Sequence, residues 1–166
     1  MPRCFIGFLP RSDVERCVAG GFAMYHRIVS LRRIVKGSWL MYYSSRVGPV
    51  GTDWVRSFTA VGKVTSPTPY EIENVAELDA VKGRPAKFRI NVNYVDCRPI
   101  PARSIVRDIG FVPESERAHL SEYLRPPRYG FLEITRDDFA SIARHMQADL
   151  KQAIPPPSID PASEFQ

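Results

Sequence analysis

The 166-residue sequence contains no long apolar run and has few cysteines and histidines. No segment approaches the roughly 20 apolar residues of a membrane span, and the first ten residues lack the basic and apolar parts of a signal peptide, so we expect neither element. Cys4, Cys17 and Cys97 show no CxxC spacing, which is typical of buried thiols in a reducing cytoplasm. The three histidines are widely separated. Composition therefore predicts a cytoplasmic protein without a metal site.

Motifs that would indicate catalysis or a nucleotide cofactor are missing as well. The sequence has no P-loop and no dinucleotide fingerprint. Ser44, His26 and Asp53 could form a triad in principle, but no nucleophile elbow surrounds the serine. Asp137 and Asp138 stand at a predicted helix start, where capping and the helix dipole explain them. We therefore expect no cofactor and no enzymatic activity, and a hydrolase is the weakest alternative.

Acidic residues are absent from a long stretch, residues 16–52, although the net charge of +5 is modest. Basic side chains within it are Arg16, Arg27, Arg32, Arg33, Lys36 and Arg46. Acidic residues return as a group at Glu71, Glu73, Glu77 and Asp79. An uncompensated basic surface is the electrostatic pattern of proteins that bind the phosphates of nucleic acids. A solvated basic rim without a partner fits the charge equally well.

The segment VKGSWLMYYSS predicts an unusual strand that is apolar on both faces. Alternation along a strand would put Trp39, Met41 and Tyr43 on one face and Leu40, Tyr42 and Ser44 on the other. Such a strand is expected at the centre of a small barrel, with one face inside and the other covered. Its serines would then reach the mouth of the barrel, where ligand sites of such folds commonly lie.

The remaining patterns alternate between short strands and short helices. Strands are predicted at residues 4–9, at 54–65 with a bulge at Gly62, at 70–75, at 86–96 and at 129–134. Helices are predicted from Ser12, capped together with Glu15 and ending at Gly20 and Gly21, at 102–107, at 114–124 and after Thr135. Residues 22–35 indicate a loop with one helical turn. Residues 151–166 form a proline-rich tail that we expect to be disordered.

Five to six short strands with few long helices predict an α/β (α+β) domain over residues 1–150, in which a curved, mostly antiparallel sheet closes on itself. Three segments, GGFAMYH…LRRIVKGSWLMYYSS, FTAVGKVTSPTPYE and YGFLEITRDDFASIARHM, resemble the EVE domain of the PUA-like superfamily, in its stand-alone prokaryotic, uncharacterised form. The resemblance covers residues 5–146. It implies a PUA-like twisted pseudo-barrel with flanking helices and a pocket for a modified base in RNA or DNA.

The resemblance places this pocket between residues 20–26 and the strand end at Ser44. The sequence departs from the family pattern at Met24, which replaces a Gln. A Gln could read a base edge by two hydrogen bonds, whereas Met cannot. His26 is followed by Arg27 and Ile28 instead of Gly-Lys, and Ser38 replaces the Asp before the strand's Trp. These departures leave the fold assignment intact and the identity of the ligand open.

A base reader needs flat faces for stacking, polar groups for the base edge and cations for the phosphates. The predicted base pocket comprises Phe22, Ala23, Met24, Tyr25, His26, Tyr43, Ser44 and Trp54. The predicted phosphate contacts are Arg27, Arg32, Arg33 and Arg46. We expect RNA or DNA with a methylated cytosine or adenine as the partner. The alternatives are a protein-interaction module and a binder of nucleosides or other small molecules.

Overall fold

The sheet of this protein is mixed and curls on itself. The structure, a computed structural model, describes residues 2–48, 51–73, 80–81 and 84–153. The strands are β1 (Cys4–Phe8), β2 (Phe22–Tyr25), β3 (Trp39–Arg46), β4 (Trp54–Val64), β5 (Tyr70–Glu71), β6 (Ala80–Val81), β7 (Arg84–Pro85), β8 (Phe88–Val95), β9 (Ile100–Pro101) and β10 (Phe131–Ile134). Hydrogen bonding orders the main sheet β10-β1-β3-β4-β8-β2, with β5 beside β8 and β9 beside β4. Only the β1–β3 pairing is parallel among these.

The two ends of this strand order meet. The ring of Tyr25 in β2 lies 5.5 Å from the ring of Phe131 in β10. Because β2 and β10 are the outermost strands of the path, this contact brings the sheet edges together. The predicted α+β architecture with a curved sheet closing on itself is therefore confirmed.

The central strand β3 is buried on both faces, as its sequence predicts. Trp39, Met41 and Tyr43 pack into one apolar cluster, and Leu40 and Tyr42 pack into a second. We call the second cluster the barrel core, because it also contains Phe131 and all of β2. The first cluster is the α3-side core, since it contains the buried side chains of α3 (Arg136–His145).

Short helices cover the sheet. They are α1 (Arg11–Gly20), α2 (Ile28–Arg32), α3, α4 (Leu150–Ala153) and two 3-10 helices at Ala102–Asp108 and Glu114–Glu122. The predicted cap of α3 is confirmed, because the Thr135 side chain accepts a hydrogen bond from the backbone N–H of Asp138. The predicted capping box of α1 is wrong. Pro10 occupies the N-cap and makes no side-chain cap bond, while the Ser12 N–H donates to the Val47 carbonyl.

Two further predictions need correction. Residues 22–25 form strand β2 instead of a loop, and α2 supplies the predicted helical turn. Gly62 is not a bulge, because it pairs regularly with Leu40 and Tyr94. An added Cβ at Gly62 would lie 2.5 Å from a methyl of Val92, so this glycine allows β4 and β8 to approach closely.

The ends of some predicted segments fall outside the described residues. Helix α4 includes the first three residues of the predicted tail, and residues 154–166 lie outside the described part. Glu77 and Asp79 of the acidic group also lie outside it.

Candidate functional site

Four of the eight predicted base-pocket residues are buried in the barrel core. Phe22, Ala23, Met24 and Tyr25 are at most 8% exposed, and all four belong to β2. The Cζ atom of Arg89 lies 3.8 Å from the centroid of the Phe22 ring and covers it. Residues 22–25 are therefore not part of an open loop, because β2 pairs with β8 and their side chains point inward.

Tyr43 and Ser44 are also buried. The Tyr43 ring packs edge-on against Phe8 and Phe58 in the α3-side core, so it lies on the opposite side of β3 from the barrel core. Ser44 is fully buried, and its hydroxyl lies 2.9 Å from the hydroxyl of Thr59. The Ser44 side chain therefore does not lie at a barrel mouth, because its hydroxyl is paired with that of Thr59 on the neighbouring strand β4.

The structure instead places an open cleft beside the end of β2. Its volume is about 280 Å³, and its lining residues are His26, Arg27, Glu71, Arg84, Pro85, Lys87 and Phe88. This size is close to the lower end of ligand pockets, about 300–1,000 Å³. His26 and Arg27 are predicted site residues that lie together in this cleft.

Three separate parts of the chain build this cleft. Strand β2 ends at Tyr25, which pairs with Phe88 at the start of β8, and Glu71 of β5 pairs with Phe88 from the other side. Phe88 is half-buried and therefore presents part of its ring. The imidazole of His26 leans on the Tyr25 ring, with centroids 4.4 Å apart and an angle of 31° between the planes. The cleft thus combines the Phe88 ring, which strand pairing holds in place, with the His26 ring, which rests on Tyr25.

The cleft is predominantly cationic. Arg27, Arg84 and Lys87 contribute three positive charges, whereas Glu71 is the carboxylate among its lining residues. All four of these side chains are exposed, so their charges act in solvent and can be screened by salt. The arrangement suits an anionic ligand that also carries a flat apolar part.

Trp54 and Arg46 lie at a different place, on the hairpin between β3 and β4. Trp54 is 56% exposed, and the Cζ atoms of Arg46 and Arg56 lie 3.5 Å and 4.2 Å from its ring centroid. Neither Trp54 nor Arg46 lines the cleft. The structure therefore places Trp54 and Arg46 apart from the cleft that contains His26.

The remaining predicted phosphate contacts differ in environment. Arg32 is exposed on α2. Arg33 is half-buried, donates a hydrogen bond to the Phe131 carbonyl at 3.0 Å and lies over the rings of Phe5 and Tyr129. Arg33 thus joins α2 to β10 and has a structural role in the fold.

A curated protein, the UPF0310 protein YdcG of Bacillus subtilis (strain 168), is 30% identical to the chain over 148 residues, which are 88% of this chain and 93% of that protein. The chain belongs to the UPF0310 family. No family model matches the sequence.

Two solved structures share the fold of this UPF0310 chain. The YTH domain of Zygosaccharomyces rouxii MRB1, in complex with N6-methyladenosine RNA, has a TM-score of 0.53 and 16% identity over 88% of this chain and 87% of its own. Human THYN1, in complex with DNA containing 5-methylcytosine, has a TM-score of 0.50 and 11% identity over 89% of this chain and 99% of its own. At these identities the likeness shows the fold alone, and the predicted PUA-like fold is confirmed.

Sequence reasoning missed several residues that this UPF0310 fold brings together. The alternation of Phe88 with Lys87 and Arg89 predicts only an apolar strand face, and Arg84 and Lys87 lie beside a turn that carries no motif. Arg56 belongs to the same basic region as Arg46 but lies just beyond the acid-free stretch. The sequence does show a cation-rich turn followed by an alternating strand. That pattern does not reveal which other strand lies beside it in the sheet.

The described part of this UPF0310 chain contains no group of three or more His, Cys, Asp or Glu side chains placed to hold a metal ion. Among the same residues, no helix is both long enough and apolar enough to cross a membrane. Cytoplasmic localisation and the absence of enzymatic activity remain predictions.

Proposed function

We propose that this UPF0310 chain is an EVE-type nucleic-acid-binding module that holds a modified base of RNA or DNA in the cleft between His26 and Phe88. The observation that carries the proposal is the combination of ring faces and cations in one open cavity. A nucleotide has the matching parts, a flat base and an anionic phosphate.

The base is expected to stack against Phe88, whose position is fixed between β2 and β5. His26 supplies a ring nitrogen for the base edge, and its plane is supported by the Tyr25 ring. Arg27, together with the other exposed cations of the cleft, would contact the phosphates beside the base. None of these interactions changes a covalent bond, so the proposal is one of recognition.

The structural neighbours support this class of ligand. A YTH domain and human THYN1 have the same fold and were solved with nucleic acids that carry a methylated base. The motifs that resemble the EVE domain span β2 to β5 and, further along the chain, β10 and α3. Their buried residues maintain the barrel, while the side chains at the strand ends would contact the ligand.

The glycine pair of the first motif illustrates this structural role. An added Cβ at Gly20 would lie 2.1 Å from the Phe22 ring, and Gly21 ends α1 with φ of 72°, in the left-handed region. The two glycines therefore let the chain turn from α1 into β2 with Phe22 directed into the core. That turn fixes where β2 ends and hence where His26 lies.

The proposal is tested by measuring the affinity of the full chain for matched oligonucleotides. The probes are single-stranded RNA with adenosine or N6-methyladenosine and DNA with cytosine or 5-methylcytosine, each at two salt concentrations. Burial of one methyl group gives about 0.8 kcal/mol, or about fourfold tighter binding of a modified probe. Equal affinity for modified and unmodified probes would reject base reading, and binding that ignores salt would reject phosphate contact.

Variants at the cleft locate the site. Phe88→Ala should weaken binding by about 1–3 kcal/mol, roughly 5- to 150-fold, because a stacking face is removed. Phe88→Leu keeps an apolar side chain but lacks the aromatic face. Relative to Phe88→Ala, it should restore folding stability more than oligonucleotide affinity. His26→Ala should reduce the preference for the modified base, while Arg144→Gln on α3 serves as a control outside the cleft. Unchanged discrimination in both cleft variants would place the base elsewhere.

The two alternative functions give different results. A binder of free nucleosides would bind the methylated nucleoside as tightly as the oligonucleotide, since the chain beyond the base would add nothing. A protein-interaction module would show no salt-sensitive affinity for any oligonucleotide.

A further inference from the structure

The hairpin between β3 and β4 carries a group of side chains that the base cleft does not use. We call Arg46, Trp54 and Arg56 the hairpin clamp. Both guanidinium groups lie within 4.2 Å of the centroid of one exposed tryptophan ring. Guanidinium groups at this distance from an indole ring are attracted by its electrons, so the ring holds the two cations near each other.

An irregularity in strand pairing creates this arrangement. Ser44 pairs with Ser57, while Arg46 pairs with Trp54, so β4 contains one more residue than β3 over this interval. Arg56 lies within the bulge and has a φ of +46°, a conformation that residues with a side chain seldom adopt. Bulges redirect side chains, and strained conformations of this kind concentrate at functional positions.

A further contact fixes the position of the Arg46 guanidinium group. Arg46 donates a hydrogen bond to the Thr52 carbonyl at 2.6 Å. Burial raises the pKa of the Tyr43 hydroxyl, and the positive charge of Arg56 opposes that rise. The Arg46 guanidinium group is therefore held by both the Trp54 ring and the hairpin backbone.

The clamp has excess positive charge. Among the ion pairs of the described residues, none involves Arg46 or Arg56. Each guanidinium group carries five N–H donors. Among the described residues, the hydrogen bond from Arg46 to Thr52 is the only one that uses any of these donors. A phosphate offers several oxygen acceptors and the opposite charge, which matches two forked donors better than a neutral group would.

We infer that the hairpin clamp binds a phosphate of the nucleic-acid backbone at a second contact, outside the base cleft. The inference rests on the proposed nucleic-acid function, which favours a phosphodiester over the carboxylates of an acidic peptide. Because phosphates carry no sequence information, the clamp contributes affinity and salt dependence without contributing to discrimination between bases.

The test measures the salt dependence of binding to an unmodified single-stranded oligonucleotide. Each phosphate contact on a single strand contributes about 0.7 to the slope of log affinity against log salt concentration. Arg56→Gln should therefore lower the slope by about 0.7, so that from 50 to 200 mM salt it loses about 2.6-fold less affinity than the wild type. Arg46→Gln should act similarly, with thermal unfolding to show that the hairpin remains folded. Arg144→Gln removes the same charge on α3 and should leave the slope nearly unchanged.

The outcomes separate this inference from the proposed function. A lowered slope in Arg56→Gln, with an unchanged ratio between modified and unmodified probes, supports the clamp. If the wild type prefers the modified probe but the slope of Arg56→Gln is unchanged, the clamp is rejected and base reading stands. If the slope falls but no probe is preferred, the clamp stands and base reading is rejected. Salt-sensitive binding of polyglutamate with no binding of oligonucleotides would overturn the clamp as a nucleic-acid contact.

Discussion

The paired hydroxyls of Ser44 and Thr59 allow a direct test of whether Ser44 is structural. The two oxygens lie 2.9 Å apart, and Ser44 is fully buried. Ser44→Ala removes one partner and leaves the Thr59 hydroxyl with a contact of 3.5 Å to the Tyr42 carbonyl. A buried polar group that loses its partner costs about 1–3 kcal/mol.

The expected magnitude lies at the lower end of that range. Thr59 is half-buried, so water can replace part of the lost hydrogen bond. We expect Ser44→Ala and Thr59→Val each to lower the free energy of unfolding by about 1 kcal/mol. The double variant replaces both partners with apolar groups and should cost little more than either single variant. The coupling energy between the two sites should therefore be about 1 kcal/mol.

Urea unfolding of the wild type and the three variants at one pH measures this coupling. Additive effects, with a coupling below about 0.3 kcal/mol, would show that the two hydroxyls do not depend on each other. Oligonucleotide affinity should be the same in all four proteins. A loss of base discrimination in a stably folded Ser44→Ala would return this serine to the binding site and refute the structural interpretation.

Other properties of the fold are open to simple measurements. Gly62→Ala should lower the free energy of unfolding by about 1–3 kcal/mol in urea, because the added methyl would meet β8 at 2.5 Å; wild-type stability would contradict the close approach. The hydrogen bond from Arg3 lowers the pKa of Glu133, so this pair stabilises the fold above the unfolded pKa near 4.5 and the contribution is lost on acidification. Glu133→Gln should accordingly show a smaller drop in Tm between pH 7 and pH 3 than the wild type, and an equal drop would exclude the pair as a cause. Burial raises the pKa of Cys4 to about 11, so a thiol reagent at pH 8 should label the half-buried Cys97 first, and faster labelling of Cys4 would contradict the packing of β1.

The regular parts of the fold were predictable where side-chain pattern and burial agree. Alternation in β3 correctly separated Trp39 from Leu40 into different cores. The cap at Thr135 was predictable because it depends on residues within one turn of a helix. Local chemistry decides such elements, and it is fully present in the sequence.

Predictions failed where distant segments decide the structure. The fully buried β2 shows no alternation, and it becomes a strand only because β8 provides its hydrogen-bond partner. Ser12 has the spacing of a cap, but its N–H is taken by Val47 from another part of the chain.

The candidate site depended still more on long-range pairing. Phe88 meets Tyr25 and Glu71 because three strands adjoin there, and no local pattern reveals which strands become neighbours. Arg56 reaches the Trp54 ring through a bulge whose position depends on the register with β3. The basic character of the region was predictable, but its division into a cleft and a hairpin was not.

A strand with no solvent-facing side makes the domain a single thermodynamic unit. Because β3 packs into both cores, neither core can unfold while the other keeps its packing. A destabilising substitution in β3 should therefore affect both cores. The ends of the strands are free of that constraint. Relatives could therefore acquire new ligand preferences by exchanging rim side chains while the interior stays as it is.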